Sequence, residues 1–170
     1  MNEPTPRPPL PAPFLVLIGA ALGFVVWSGR SLPDLVAAHF DSGGRTNGYM
    51  PKVLYLALML LVTAVVPLLL VILPRRALAG SVERINVPNR DYWLAPERRA
   101  ETVRFLSRQM TLFAALVIVF LCYVQWLVVR ANALTPPSLS SRALLIGLAI
   151  FLGCTFAWTL RVIGRFARRA

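Results

Sequence analysis

The sequence predicts an all-α integral membrane protein with four transmembrane helices, and its composition carries most of that prediction. Hydrophobic residues make up 57% of the 170-residue chain, whereas charged residues make up 15%. The charged residues are clustered between long apolar runs, while a soluble helix interleaves buried and solvated positions. This pattern is typical of a multi-span membrane protein rather than of a soluble fold with a large core.

The formal net charge of +11 would also suit a nucleic-acid-binding protein. The arginines, however, lie between and after the apolar runs, where positive charge sets the orientation of membrane helices. We therefore predict no nucleic-acid partner. The basic residues are expected to face the anionic lipid head groups of the cytoplasmic surface.

The chain begins with a proline-rich leader, residues 1–13, which contains six prolines and is predicted to be disordered. The first span is predicted at residues 14–27, extended at both ends to reach membrane length. A signal peptide is the competing interpretation, with a conceivable cleavage site at residues 36–38. Because that site lies far beyond the apolar run, we predict a retained helix.

Three further spans are predicted at residues 53–73, 110–129 and 143–160. Pro67 should kink the first of these three, because it frees the carbonyl of Thr63. Thr63 and Gln125 are the main polar residues at depth, and we expect interhelical hydrogen bonds to satisfy them. Small residues at four-residue spacing would allow close packing in a homo-oligomer. They are Gly19 and Gly23 in the first span, and Ala149 and Gly153 in the fourth.

The chain between the second and third spans, residues 76–109, is its most basic part. An amphipathic helix is predicted to begin at Pro96, because proline suits the first helical position and acidic residues follow it. We expect this helix to lie along the membrane interface before turning into the third span. An irregular segment, residues 85–94, precedes this helix, and residues 89–99 are a candidate contact for a cytoplasmic partner or lipid head groups. Its candidate binding residues are Asn89, Asp91, Tyr92 and Trp93.

The distribution of basic residues predicts the orientation of the four spans. Thirteen of the eighteen lysines and arginines fall on the side that carries both termini and residues 75–108. Because cytoplasmic segments carry the excess of positive charge, both termini are predicted to be cytoplasmic (N-in/C-in) and residues 31–52 extracytoplasmic. Four regions follow: the leader, a two-span domain with its outer loop (14–75), the basic loop and interfacial helix (76–109), and the last two spans with a basic tail (110–170).

The outer loop, residues 31–52, contains the only histidine of the chain. Alternation up to Phe40 predicts a short extended segment with that ring on its inner face, and the glycine pairs that follow predict turns. The loop would form a compact cap anchored by Phe40 and Tyr49, an exposed binding surface, or both at once. Its candidate binding residues are His39, Phe40, Asp41, Asn47 and Gly48, with Arg45 beside them.

Signatures of enzymes and transporters are missing from the sequence. The interiors of the four spans hold no Asp, Glu, Lys, Arg or His, which argues against a proton-coupled transporter or a charge-lined channel. No P-loop, His-Glu-x-x-His or Gly-x-Ser-x-Gly motif occurs, and we predict no catalytic activity, no cofactor and no metal site. The alternative is a metal-assisted membrane enzyme in which Asp34, His39 and Asp41 converge on one ion.

The outer loop resembles the motif of a bacterial membrane domain of unknown function. The matching residues are Leu32, Pro33, Asp34, His39, Phe40, Asp41, Gly44, Asn47, Gly48 and Lys52. That domain forms the N-terminal part of SdpI-type immunity proteins, which protect cells from a secreted toxin and take part in signalling. The resemblance covers residues 14–75, and many members have proline where this chain has Ala37 and asparagine where it has Asp41. The longer immunity proteins carry further helices that have no match here, whereas residues 89–98 resemble a segment of small uncharacterised members.

The resemblance implies a plasma-membrane protein of a bacterium, with an immunity-like or signalling role. The residues themselves predict a non-enzymatic binding module that engages a peptide, a lipid or a membrane-protein partner through its outer loop. Two alternatives stay open. One is the metal-assisted enzyme, and the other is an assembly subunit of a membrane complex held by the small-residue faces.

Overall fold

The computed structural model describes residues 10–78 and 87–167. Within these ranges the chain forms five helices and one hairpin. In chain order they are α1 (Ala12–Gly29), β1 (Leu35–Phe40), β2 (Thr46–Pro51), α2 (Lys52–Leu78), α3 (Arg90–Trp93), α4 (Pro96–Asn132) and α5 (Ser141–Ala167). Residues 1–9 of the proline-rich leader lie outside the described residues, so their predicted disorder stays a prediction, whereas Ala12 and Pro13 already belong to α1 and the prediction is wrong for them.

Four helices of the described chain, α1, α2, α4 and α5, are long and apolar enough to cross a membrane. Each contains one predicted span, so four helices of membrane-spanning length are confirmed at the predicted positions and a multi-pass membrane protein is indicated. The helices are longer than the apolar runs. For example, α2 continues through Pro67 and Pro74 to Leu78.

Helix α4 differs from the prediction of an interfacial helix that turns into the third span. It begins at Pro96, as predicted, but continues without a break to Asn132. Its 37 residues span about 55 Å at 1.5 Å per residue, whereas the hydrocarbon core of a bilayer is about 30 Å thick. After Pro96 the helix contains no glycine or proline, so nothing interrupts its hydrogen-bond ladder. The predicted turn is therefore wrong.

Helices α1, α2 and α4 pack together as the centre of the bundle, and α5 packs mainly on α4. Stacked aromatic rings join α4 to α5, namely Phe113 with Trp158 and Phe120 with Phe151. The central apolar cluster consists of Phe14, Ile18, Ala21, Val71, Ala114 and Ile118. A methyl group added at Gly19, Gly23 or Gly153 would touch nothing within the described chain. These faces therefore point away from the bundle, and homo-oligomerisation through them stays a prediction.

The two strands form an antiparallel hairpin at the end of the bundle where α1 and α4 end and where α2 and α5 begin. We call this the hairpin end, and we call the opposite end, which carries α3 and the start of α4, the basic end. Val36 lies opposite Met50, and Ala37 lies opposite Tyr49. The predicted extended segment is thus confirmed as β1, and the structure adds a second strand to it. The spans are helical, while the loop between α1 and α2 is a hairpin.

A chain of buried polar side chains crosses the central bundle just below the hairpin. The Tyr55 hydroxyl of α2 donates to Gln125 Oε1 of α4 at 2.7 Å, and Gln125 Nε2 donates to Ser28 Oγ of α1 at 3.1 Å. All three residues are buried. The expectation of interhelical hydrogen bonds is confirmed for Gln125. It is wrong for Thr63, whose buried hydroxyl finds no partner among the described residues.

Replacing Gln125 by leucine should lower the free energy of unfolding by about 1–2 kcal/mol, because the buried Tyr55 hydroxyl loses its acceptor and the Ser28 hydroxyl keeps only its bond to Val25 O. Unfolding in mixed micelles, followed by circular dichroism, measures this change. The matched control is the triple variant Ser28→Ala/Tyr55→Phe/Gln125→Leu, which removes all three hydrogen-bonding side-chain groups of this buried network. It should be more stable than the single variant, and the reverse order would contradict the role given to unpaired polar groups.

Candidate functional site

Two bulges shape the hairpin around His39. The register passes from Ala37 opposite Tyr49 to His39 opposite Gly48 and then to Phe40 opposite Thr46, so each strand contains one extra residue. A Cβ atom on Gly48 would lie 2.9 Å from His39 Cδ2 and 3.0 Å from His39 Cβ. The imidazole therefore lies across Gly48, and the absence of a side chain there makes room for it.

The turn of the hairpin is built by Asp41 and Gly44. Asp41 Oδ1 accepts the backbone N–H of Arg45 at 2.8 Å, and the backbone N–H of Asp41 donates to Arg45 O at 2.9 Å. Gly44 adopts a φ of 81°, in the left-handed region that glycine occupies without strain. Two residues of the predicted motif are thus explained by the conformation of the turn itself.

The turn docks on the α4–α5 connector, residues 133–140. The backbone N–H of Leu139 donates to Gly44 O at 2.9 Å, and the Thr46 hydroxyl donates to Pro137 O at 2.9 Å. Ser141, at the start of α5, donates to Ser42 O at 3.1 Å. A Cβ atom on Gly44 would collide with the carbonyl oxygen of Leu139. Gly44 therefore serves both the turn and the close approach of the connector.

The last residue of α4, Asn132, closes the free edge of β1. The backbone N–H of Ala37 donates to Asn132 Oδ1 at 2.8 Å, and Asn132 Nδ2 donates to Ala37 O at 3.0 Å. The carboxamide thus makes the same pair of bonds that a neighbouring strand would make. Sequence reasoning missed Asn132, whose one visible signal is a lone carboxamide after the apolar third span.

Lys52, another residue of the motif, caps the end of α1. Its ammonium group donates to Arg30 O at 3.0 Å and to Leu32 O at 2.7 Å. Carbonyls at a helix C-terminus lack partners within the helix and attract positive charge. The ammonium group of Lys52 supplies both a hydrogen-bond donor and a positive charge. The backbone N–H of the same lysine donates to Asp34 O at 2.8 Å and closes the open end of the hairpin.

The predicted binding residues of the loop are divided between the two faces of the hairpin. Phe40 is partly buried and packs with Val36 against the helix ends, as predicted. His39, Asp41 and Asn47 are exposed. Tyr49 is 52% exposed, so the expectation that it anchors the cap is wrong. Neighbouring residues of a strand face opposite sides, and the inward position opposite Val36 is taken by Met50.

The structure does not gather Asp34, His39 and Asp41 into a metal site. Among the described residues, no group of three histidine, cysteine, aspartate or glutamate side chains is placed to hold an ion. Asp41 is engaged in the turn, while His39 lies across Gly48 in the ladder. The ligand set on which the enzyme alternative depends is therefore not assembled.

At the basic end, the segment that contains α3 docks on the C-terminal turn of α5. Asn89 Nδ2 and Trp93 Nε1 both donate to Phe166 O, at 3.0 Å and 3.3 Å. The Trp93 ring also packs edge-on against the Phe166 ring. Two of the four candidate residues in this segment are thus used inside the chain. Asp91 is exposed, and the partly buried Tyr92 ring lies 4.1 Å from the guanidinium of Arg98.

A family model described as a domain of unknown function (DUF1648) matches residues 15–66. The match spans most of α1, the whole hairpin and the first half of α2. It supports the predicted resemblance to a domain of unknown function and assigns no activity. No curated protein and no solved structure matches the chain.

The Gly44→Ala variant should be destabilised by about 2–3 kcal/mol, since alanine is strained at positive φ and its Cβ would displace the connector. Gly43→Ala is the matched control in the same turn, because its Cβ would approach only the Asp41 carboxylate, at 3.3 Å. Thermal unfolding of the two purified variants measures the difference. Equal melting temperatures would show that the connector does not depend on close approach at Gly44.

Proposed function

We propose that this chain is a non-enzymatic binding module of a bacterial inner membrane, immunity-like or signalling, which engages a peptide or protein through its hairpin. The supporting observation is the contrast between two sets of motif residues. Gly44, Gly48 and Lys52 have roles inside the hairpin and its docking. His39 and Asn47 are exposed, and within the described ranges neither side chain has a hydrogen-bond partner.

The surface around these two side chains has the composition of a recognition site. Leu35 is 58% exposed and Tyr49 is 52% exposed on the strands that carry His39 and Asn47. Tyrosine is enriched at protein interfaces, because one side chain offers a large apolar area together with a hydroxyl group. We propose that a partner packs on Leu35 and Tyr49 and exchanges hydrogen bonds with His39 and Asn47.

The hairpin is held in a way that suits binding. Asn132 closes one strand edge, the connector holds the turn, and Lys52 closes the open end. A surface that is already ordered loses little conformational entropy when a partner binds, so more of the contact free energy appears as affinity. This arrangement supports a docking platform better than it supports a loop that folds only on binding.

The orientation favours a partner outside the cell. Most basic residues lie toward the basic end, which we propose to be cytoplasmic. The hairpin would then face the extracytoplasmic side, where the SdpI-type resemblance implies a secreted toxin as the partner. The enzyme alternative has no comparable support, because its three proposed ligands do not converge.

At the basic end we propose a contact with anionic lipid head groups. Exposed arginines on three helices surround this end, and each would gain about 1 kcal/mol beside an anionic surface. They are Arg76, Arg98, Arg104, Arg108 and Arg161. Asp91 and Tyr92 stay available for a cytoplasmic partner, whereas Asn89 and Trp93 stabilise the docked segment.

Cysteine labelling tests the orientation. A Ser42→Cys variant should react with a membrane-impermeant maleimide in intact cells, and an Arg104→Cys variant should react only after the membrane is opened. Both side chains are exposed, so access to the reagent depends on the side of the membrane. Cys122 and Cys154 lie within spanning helices and are replaced by alanine in the background. The opposite labelling pattern would reverse the topology.

The double variant His39→Ala/Asn47→Ala should lose its partner while its abundance in the membrane and its melting temperature stay unchanged. Neither residue contributes a side-chain hydrogen bond to the fold, so stability should change by less than about 0.5 kcal/mol. A photo-crosslinker at position 35 reports the partner in cells, and survival of cells exposed to the partner peptide reports protection. Leu134→Ala, an exposed position on the connector, is the matched control. Lost abundance would indicate a folding role instead.

A further inference from the structure

A cavity of about 450 Å³ lies beneath the hairpin, between β1, the hairpin end of α4 and the first turns of α5. This volume falls within the range of small-molecule sites. Apolar side chains form most of its wall, chiefly Phe40, Val124, Leu127, Val128, Leu144 and Leu145. Three polar residues line it where the turn meets α5, namely Asp41, Ser42 and Ser141.

The cavity changes from apolar to polar in the direction of the helix axes. Val124 lies about 12 Å below Asn132 along α4 at 1.5 Å per residue, whereas Asp41 belongs to the turn beyond the helix ends. Leu145 lines the cavity and is 62% exposed, and the exposed side of a spanning helix meets lipid, so we expect the cavity to open toward the lipid. A membrane lipid has the same arrangement, with its hydrocarbon chain at depth and its polar group at the interface.

Charge selects among lipid head groups. Among the described residues that line the cavity, Asp41 is the one ionisable residue. Its Oδ1 atom accepts the Arg45 N–H, while Oδ2 has no partner in the described chain. A carboxylate attracts an ammonium group and repels a head group that is anionic without a cation. We propose that the cavity binds one acyl chain of an amine-bearing membrane lipid, with the ammonium group at Asp41.

A second groove of the same bundle provides an internal comparison. It has a volume of about 310 Å³, lies between α4 and α5, and is lined by Leu116, Val119, Phe120, Tyr123, Ile146, Gly147, Ile150 and Phe151. Its lining contains no charged residue, so any acyl chain that enters it should be held without regard to the head group. We therefore expect selectivity for an amine from the cavity under the hairpin and none from this second groove.

This site is separate from the proposed partner surface, since His39 and Asn47 do not line the cavity. Native mass spectrometry of the purified full-length chain can test it with phosphatidylethanolamine and phosphatidylglycerol of identical acyl chains. The amine lipid should be retained about two- to fivefold more, the ratio that one exposed ion pair supplies. In Asp41→Asn, which keeps the Oδ1 acceptor of the turn, the ratio should fall to about one.

A filling variant tests the position of the acyl chain. Val124→Trp should reduce the retained amine lipid, whereas Val119→Trp, which fills the second groove, should leave the head-group ratio unchanged. Melting temperatures verify that both variants fold. If Val124→Trp does not fold, the comparison of the unmodified chain with Asp41→Asn still tests the proposal. Equal retention of the two lipids by the unmodified chain would overturn the proposal. A ratio unaffected by Asp41→Asn would overturn it as well, as would a cavity filled by a second copy of the chain with no lipid retained.

Discussion

The backbone N–H of Ala37 donates to the side chain of Asn132, and the backbone C=O of Ala37 accepts from it. The position of the hairpin depends on this pair of hydrogen bonds. A residue in an antiparallel ladder directs both groups to the same side, so Ala37 cannot also bond Tyr49 across the hairpin. β1 is therefore held between β2 on one edge and α4 on the other. Because Asn132 Nδ2 also donates to Val128 O, its carboxamide is fixed on the helix before it meets the strand.

The buried hydrogen bonds that join Tyr55, Gln125 and Ser28 fix the ends of α1, α2 and α4 on which the contact between Ala37 and Asn132 depends. Gln125 lies two helical turns below Asn132 on α4, so the polar chain and the strand contact share one rigid element. A polar group in hydrocarbon has no water with which to form a hydrogen bond. These bonds therefore fix the relative positions of the helices, although the net free energy of each bond is modest. The same rigidity preserves the cavity beneath β1, whose walls belong to α4, α5 and the hairpin.

The sequence predicts the four spans well, because each is a long run without charge and length alone identifies it. It also predicts the inward ring of Phe40 by alternation. The sequence does not predict the continuity of α4, because the change from charged to apolar residues near Met110 suggests a turn, although no residue there breaks a helix. The contacts of Ala37 with Asn132 and of Gly44 with Leu139 join residues about a hundred positions apart, and no local pattern encodes such a pairing. The roles of the motif residues could therefore be assigned only from the folded chain.

The match to the domain of unknown function ends at residue 66, yet the hairpin inside it is completed from outside it. Asn132 and the connector supply the polar partners of Ala37, Gly44 and Thr46. Without them, backbone groups at the edge of β1 would face either an apolar environment or another chain. In this protein the hairpin of residues 15–66 is therefore completed by polar contacts from later parts of the chain. We therefore expect a chain that carries the same two spans and hairpin to close the edge of β1 with a polar group from its own later helices or from a partner subunit.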